Sequence, residues 1–460
     1  MNKPHHSANK HINNLIEFRQ AIYQHGFTTL KDAQFELVDA LLMSGPVRSF
    51  PELSLCPVFR RRWSSAYAAI EEGRQDLDWL RRYLCAQAPT HGVQVFALDT
   101  TAWPRPSAPT LADRQYVRSP TAAIDGSSIV AGYPYSLLSW VAKERSSWAL
   151  PVDIERVRSS QNPVDVGVAQ VRQLCQARGG FDGSDVIVGD GGYGNHRFLR
   201  PLRHLPCGVL VRLRRDRVLY GTPPPYKGRG RPNVHGQRFA FKEPDTWTEP
   251  DQRLKFCDPR WGKVEIQYWT DLHALQAADT PFGVLRVRVH LDKERPPQAL
   301  WLAWQGPALP ADVIWRYYQL RWPIESSIRW RKQRLHWTMP QFRSPEPCDR
   351  WTMLVSLAQW MTFLARPAVK DQPLPWQKVQ PELTPGLTPG LTPGLTPGLT
   401  PGRVVQGLAG LFAQIGTPAV PPKTRGKSPG WPKGKARARP DRYPVVRKGP
   451  KRRKSRHKAA

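Results

Sequence analysis

The chain has 460 residues, and its 68 Lys and Arg residues outnumber 37 Asp and Glu residues, giving a formal charge of +31. This length predicts two to four domains, and the charge indicates a polyanionic partner, with nucleic acid ahead of a membrane surface. The sequence has no run of about 18 apolar residues and no apolar core of a secretory signal near the N-terminus, which predicts a soluble cytoplasmic protein without a membrane partner.

The first 90 residues are predicted to form a helical N-terminal domain. Apolar residues recur at three- and four-residue spacing over 12–27, 30–45 and 64–84, and a basic cluster at 60–62 precedes the third stretch. The basic patches suit DNA binding, and a helical cap that packs on the next domain is an equally open interpretation.

Two short apolar strands each lead into an aspartate. Residues 93–98 precede Asp99, and residues 186–189 precede Asp190 in a glycine-rich turn. Such runs suit central strands, and side chains at the strand ends project into the crevice where ligands bind in open α/β sheets. Competing aspartates lie in predicted loops or turns, namely Asp113, Asp125, Asp153 and Asp182.

Between these two strands, 127–157 has the pattern of a hairpin and 164–177 that of a helix. Strand, hairpin, helix and strand in this order fit an α/β fold with an RNase H-like mixed sheet. We therefore expect residues 91–200 to form the first part of a catalytic core.

Residues 201–309 are dominated by short strands between Gly and Pro turns, which predicts a β-rich insertion. The loop 221–238 is basic and rich in glycine and proline, a composition that suits contact with a phosphate backbone. Five tryptophans of the insertion could each stack on a base, although core packing is the simpler interpretation: Trp247, Trp261, Trp269, Trp301 and Trp304.

The stretch 315–337 carries the most informative pattern. Tyr318, Arg321, Glu325 and Lys332 follow one another at steps of three, four and seven residues, which places them on one face of an ideal helix. The Glu could hold a divalent ion while the cations neutralise phosphates, and a solvated basic helix with ion pairs is the alternative. Because Pro323 is unfavourable inside a helix, a new helix is expected to begin near it.

The core is expected to finish over 310–370 with an apolar helix at 353–365. Five tandem LTPG copies occupy 383–402 within a predicted linker over 371–422. Residues 423–460 hold sixteen Lys and Arg residues and one acid, Asp441, which predicts a disordered basic tail. Such a tail would bind DNA non-specifically through counterion release, and a functionless extension is the alternative.

The order Asp99, Asp190 and Glu325, with the signature Y-x2-R-x3-E-x6-K around the Glu, resembles the DDE insertion-sequence transposases, in the cut-and-paste branch that carries an insertion before the glutamate. The resemblance implies that these three acids are catalytic and hold two Mg²⁺ or Mn²⁺ ions, while Tyr318, Arg321 and Lys332 bind phosphates. It implies cleavage at element ends and strand transfer into target DNA. It also implies that the N-terminal domain binds terminal repeats, that a homodimer forms the synaptic complex on double-stranded DNA, and that the protein is bacterial and nucleoid-associated.

Two other functions stay open at the level of sequence. A metal-dependent nuclease of the same fold would cut DNA without joining it, and a catalytically silent protein would only bind DNA. The chain has no complete G-x4-G-K-S or G-x4-G-K-T phosphate-binding loop, because Pro421 stands where the one Gly-Lys-Ser, at 426–428, would need its first glycine, so ATP use is not indicated. Its six cysteines contain no C-x2-C pair, which predicts reduced thiols rather than a zinc site or disulfides.

Overall fold

The architecture is that of a computed structural model. It describes residues 4–119, 128–142, 147–226, 228, 230–259, 261–290, 299–372, 375, 399–424, 430, 434 and 439–448. Residues 383–398, which make up most of the LTPG array, lie outside the described part, as do the basic residues 449–460 and Asp125.

The N-terminal region is helical, with α1 (Pro4–Ala21) running into a π turn (Ile22–Gly26), then α2 (Lys31–Met43), α3 (Phe50–Leu53), α4 (Trp63–Glu71) and α5 (Leu77–Gln87). The predicted stretch 64–84 is therefore two helices. They separate at Gly73, where a Cβ atom would lie 2.0 Å from the Ala69 carbonyl oxygen. The chain then forms β2 (Arg74–Gln75), which pairs with β1 (Phe27–Thr29). Asp76 starts α5 by accepting the Trp79 N–H at 2.9 Å.

One large mixed sheet organises the rest of the molecule. Its twelve strands in the described residues are β3 (Val95–Pro104), β4 (Gln115–Arg118), β5 (Ile129–Val141), β6 (Ala149–Arg156), β7 (Val186–Gly189), β8 (Gly208–Leu213), β9 (Val218–Tyr220), β10 (Arg238–Ala240), β11 (Gln252–Asp258), β12 (Gly262–Ala274), β13 (Ala277–His290) and β14 (Ala299–Gln305). The order is β10-β9-β12-β13-β14-β8-β7-β3-β5-β4, with β11 beside β12 and β6 beside β5.

The central strands have the mixed pairing predicted for the core. β3 is antiparallel to β5 and parallel to β7, and β7 is parallel to β8. Two helices follow the strands of this region, α6 (Pro163–Ala177) and α7 (His196–Leu202). Asn162 caps α6 by accepting the Val164 N–H at 2.9 Å. This mixed α/β sheet is consistent with an RNase H-like core.

The strands after β8 continue the same sheet. β14 pairs antiparallel with β8, β13 pairs with β14, and β12 pairs with β13. The strand β8 lies within the stretch 201–309 that we predicted as an insertion, yet its parallel pairing with β7 makes it a strand of the core. Trp269, Trp301 and Trp304 are 2–3% exposed, so these three pack in the core rather than on the surface.

Four helices complete the described fold: α8 (Ala311–Gln319), α9 (Trp322–Gln333), α10 (Pro345–Ala365) and α11 (Pro401–Ile415). The helix α10 is buried along most of its length, including its two tryptophans, Trp351 and Trp360. The helix α11 begins at the end of the LTPG array, within the stretch 371–422 that we predicted as a linker. It forms because apolar residues recur there at helical spacing, and Val404, Leu408 and Phe412 are buried against α10 and α2.

Part of the predicted disordered tail is also ordered. Residues 441–448 lie against the chain at and before β4, and Val446 forms an isolated parallel bridge with Gln115. The prediction of disorder considered only charge and missed the backbone partners that an unpaired strand edge supplies. Among the described helices, none is both long and apolar enough to cross a bilayer. The six cysteines form no disulfide, and only Cys257 is exposed.

Candidate active site

The register of β3 and β7 places two aspartates side by side. Leu98 of β3 pairs with Gly189 of β7 in a parallel ladder, so the next residues of the two strands, Asp99 and Asp190, are neighbours. Neighbouring strands lie about 4.8 Å apart, which brings the two carboxylates to one place. We predicted Asp99 at the end of a strand, but β3 continues to Pro104. It is β7 that ends here, and this opens space beside Asp99.

The turn after β7 holds Asp190 through its own backbone. The Asp190 Oδ1 atom accepts the Gly192 N–H at 2.9 Å, and its carbonyl oxygen accepts the Tyr193 N–H at 3.2 Å. Gly194 closes the turn against β8, where a Cβ atom would lie 2.0 Å from the Arg212 carbonyl oxygen. Glycine is thus required at position 194 by close packing against the neighbouring strand.

A break between α8 and α9 brings the signature residues to these aspartates. The helix α8 ends at Gln319, and α9 begins at Trp322 with Pro323 in its first turn, as the sequence predicted. Glu325 therefore lies in the first turn of α9, where the partial positive charge of a helix N-terminus stabilises a carboxylate. Tyr318 lies at the C-terminal end of α8, so the four signature residues come from two helices rather than one.

Arg321 lies at the break and bridges two of the acids. Its Nη1 atom donates to the Asp99 Oδ2 atom at 3.0 Å, and its Nη2 atom donates to the Glu325 Oε1 atom. The Arg321 side chain is 16% exposed and that of Asp99 is 15% exposed, whereas Glu325 is 39% exposed. The ion pair with Asp99 is thus well shielded from solvent, and it links β3 to α9.

The pKa of Asp99 reflects its burial and the charges around it. Burial raises the pKa of Asp99 to about 6, Arg321 opposes this rise, and the charges of Asp190 and Glu325 add to it. Burial also raises the pKa of Tyr318, against the opposing charges of Arg321 and Arg212. The charges of Asp190 and Glu325 therefore both reach Asp99.

Lys332 lies near the C-terminal end of α9 and contacts β3 close to Asp99. Its Nζ atom donates to the Thr101 Oγ1 atom at 2.8 Å, two residues beyond Asp99 on β3. Burial, together with the charge of the neighbouring Arg331, lowers the pKa of Lys332 to about 8. The fully buried Arg331 guanidinium packs over the Trp337 ring and donates to the Ser356 hydroxyl at 3.1 Å.

The donor atoms at this site suit a hard divalent ion, because all three acids supply carboxylate oxygens. The described residues contain no cluster of three or more acids, histidines or cysteines that is already arranged to hold a metal. Arg321 pairs with one oxygen of Asp99 and one oxygen of Glu325, so it would compete with a metal ion for these two carboxylates.

The competing aspartates of the described chain have structural partners. Arg156 lies 3.3 Å from Asp113, Arg81 lies 2.9 Å from the buried Asp153, and the Ser184 side chain donates to Asp182. These ion pairs and turn contacts account for the three aspartates, so none of them needs a catalytic role.

Two further residues that sequence reasoning did not single out lie near the signature side chains. Trp322, beside Arg321, is 52% exposed although it is a large apolar side chain. Arg212 alternates outward on β8 and acts on the pKa of Tyr318. Trp322 could have been found in the sequence from its position inside the Y-R-E-K signature. Arg212 could have been found because it is a charged residue among the apolar residues of β8.

A family model described as DDE superfamily endonuclease matches residues 23–271, which is more than half of the chain. The match includes Asp99 and Asp190 and ends before Glu325. No curated protein matches the chain.

Proposed function

The chain belongs to the DDE superfamily endonucleases, and from this premise we propose that it is a DNA transposase that cuts the ends of an insertion element and joins them to target DNA. The family supports an enzyme that acts on DNA and generally uses divalent metal ions. The branch with the Y-R-E-K signature, the strand transfer and the recognition of element ends are parts of the proposal.

One observation carries the proposal beyond the family. Asp99, Asp190 and Glu325 come from β3, the end of β7 and the first turn of α9, and their charges meet at Asp99. Three carboxylates beside arginine and lysine side chains suit a site that binds both divalent ions and phosphates.

In the proposed mechanism, Asp99, Asp190 and Glu325 would hold two Mg²⁺ or Mn²⁺ ions. When bound, such ions would activate the attacking oxygen and stabilise the leaving oxygen of the phosphodiester. Arg321, Tyr318 and Lys332 bind the phosphates next to the scissile bond and hold the DNA in line for attack. The exposed Trp322 ring provides a surface on which an unpaired base can stack.

The proposed partners are the double-stranded DNA of the element ends and of the target. Because two element ends are joined in one reaction, we propose a homodimer in the synaptic complex, with the N-terminal helices binding the terminal repeats. A cytoplasmic, nucleoid-associated location follows from the DNA substrate and is part of the same proposal.

The test is Mg²⁺-dependent cleavage and joining of DNA that carries the sequence flanking the reading frame, with Glu325→Gln as the variant. The substitution keeps the shape of the side chain and removes its charge, so we expect DNA binding to persist while cleavage falls by at least about a hundredfold. The matched control is Glu346→Gln, because Glu346 also lies in the first turn of a helix, α10, and is exposed.

The other outcomes separate the alternatives. Cleavage without joining by the wild type would favour a nuclease of this fold. DNA binding without cleavage by either protein would favour a silent DNA-binding protein. Equal activity of wild type and Glu325→Gln would remove Glu325 from the metal site.

A further inference from the structure

The C-terminal segment 441–448 docks beside β4 at the edge of the sheet, where Val446 forms an isolated bridge with Gln115. β4 is the last strand on this side, and the Val446 N–H donates to the Arg114 carbonyl oxygen at 2.7 Å. The Tyr443 N–H donates to the Pro109 carbonyl oxygen at 2.8 Å. Main-chain bonds of this kind hold a segment in a defined register whatever its side chains are.

Side chains secure the segment at both ends. The buried Arg114 guanidinium donates to the Tyr443 carbonyl oxygen at 3.3 Å, so part of its hydrogen-bonding capacity is met by the segment. Lys448 donates through its Nζ atom to the Gln161 carbonyl oxygen at 2.7 Å. The segment is therefore a fixed part of the core surface.

This docking gathers positive charge at the β4 edge. Tyr116 and Arg118 alternate outward on β4, and Arg447 lies over the Tyr116 ring at 5.6 Å. We call the four exposed cations of this surface the edge cluster: Arg118, Arg442, Arg447 and Lys448. Of the nearby acids, Asp441 belongs to the segment itself, and Asp113 is already paired with Arg156. The surface thus has an excess of positive charge.

The strand register gives the distance from the candidate active site to Gln115, the residue of β4 that the segment bridges beside the edge cluster. Pro104 on β3 and Gln115 on β4 both pair with Gly132 of β5, and Asp99 lies five residues before Pro104. Two strand spacings across the sheet and five residues along it amount to about 20 Å. A duplex rises about 3.4 Å per base pair, so this separation corresponds to about six base pairs.

We propose that the edge cluster binds the phosphate backbone of duplex DNA about six base pairs from the phosphate at Asp99. The partner is a duplex because a rigid phosphate ladder can reach both places at once, and the cations require no base sequence. The position of the contact rests on the proposed function, whereas the binding itself does not.

The binding test uses the full-length protein and a 30-base-pair duplex of arbitrary sequence in chelator. Replacing all four edge-cluster residues by Gln should lower the slope of log affinity against log salt by about 3 to 4, at about 0.9 per phosphate contact. A matched quadruple variant removes exposed cations elsewhere, at Arg48, Lys242, Arg253 and Lys255, and should change the slope by less than about one. Equal changes in the two quadruple variants would overturn the proposal.

A second pair of variants tests the docking. Val446→Pro removes the N–H that bonds to Arg114 while tolerating extended backbone, and Val446→Ala keeps that N–H. We expect Val446→Pro to weaken duplex binding about tenfold and to speed hydrogen exchange in 443–448, with Val446→Ala close to wild type. Equal DNA binding by the two variants would overturn the docking of the segment. Loss of a dimer in Val446→Pro alone would overturn docking within one chain, because the segment would then join two copies.

Footprinting locates the contact. On cleavable DNA, hydroxyl radicals should reveal protection about six base pairs from the cut that disappears in the edge-cluster variant. Unchanged protection would contradict the proposal. If no DNA is cut while the salt slope still falls in the edge-cluster variant, the transposase proposal fails and the nucleic-acid surface stands.

Discussion

At the scale of one residue, Arg321 is the side chain that would compete with a metal ion for two of the acids. It donates to Asp99 and to Glu325 and acts as an internal counter-ion for both. We expect Arg321→Gln to raise the Mn²⁺ affinity of the DNA-free protein by about tenfold, because two carboxylates lose their competing partner. Calorimetric titration measures this affinity.

The controls for that titration are variants on the same helix. Arg329→Gln removes an exposed cation of α9 and should leave the Mn²⁺ affinity unchanged, whereas Glu325→Gln should lower it. A lower affinity in Arg321→Gln would show that Arg321 supports the site rather than competing for it.

The proposed phosphate contact of Lys332 predicts that DNA binding depends on pH. Its folded-state pKa is lowered to about 8, so the DNA-free protein carries this charge below pH 8 and loses it as pH rises through that value. DNA affinity should therefore fall between pH 7 and pH 9, and the fall should be smaller in Lys332→Arg, whose guanidinium stays protonated. Anisotropy titrations at fixed salt measure the difference, and identical pH profiles would exclude a phosphate contact by Lys332.

At the scale of an element, the turn between β7 and α7 decides where Asp190 lies. Gly194 has no room for a side chain, since a Cβ atom would lie 2.0 Å from the Arg212 carbonyl oxygen. Gly191, three residues earlier in the same turn, has no atom within 4 Å of the equivalent position. The two glycines form a matched pair in which only one is sterically required.

We expect Gly194→Ala to lower the free energy of unfolding by about 1–3 kcal/mol and to reduce cleavage, because the backbone must shift to admit the methyl group. Gly191→Ala should be close to wild type in both. Urea unfolding and DNA cleavage measure the two effects, and equal behaviour of the two variants would mean that the turn does not fix Asp190.

At the scale of the whole molecule, the buried Arg19 links the N-terminal helices to the residue that follows α11. Arg19 of α1 pairs with Asp39 of α2 at 2.5 Å and 3.0 Å and donates to the Gly416 carbonyl oxygen after α11 at 3.1 Å. Its guanidinium also lies over the rings of Phe35 and Phe412. The N-terminal helices and α11 therefore fold as one packed unit.

We expect Asp39→Ala to destabilise the protein by about 3–5 kcal/mol, because it leaves the buried Arg19 charge without its partner. Asp371→Ala removes the partner of Arg403 at a more exposed pair, with Asp371 37% exposed, and should cost less than about 1 kcal/mol. Thermal and urea unfolding measure both variants. Similar losses would mean that burial of the first pair contributes nothing.

The sequence by itself determined the features that depend on local pattern and chemical type. Apolar strands leading to Asp99 and Asp190, the helix break at Pro323 and the Y-R-E-K spacing all follow from short-range rules of periodicity and backbone geometry. The α/β class, the mixed core sheet and the kinship with DNA-acting enzymes could therefore be predicted. The three acids also share one environment, although their metal-binding role stays a prediction.

Only the tertiary structure decided the features that depend on contacts between distant residues. The pairing of β7 with β3 places Asp190 beside Asp99. The break before α9 places Arg321 within hydrogen-bonding distance of Asp99 and Glu325. The packing of α11 on α2 and α10 and the bridge of Val446 to Gln115 depend on distant partners, which charge and composition cannot reveal. A sequence lists the groups that can interact, and long-range packing selects which of them do.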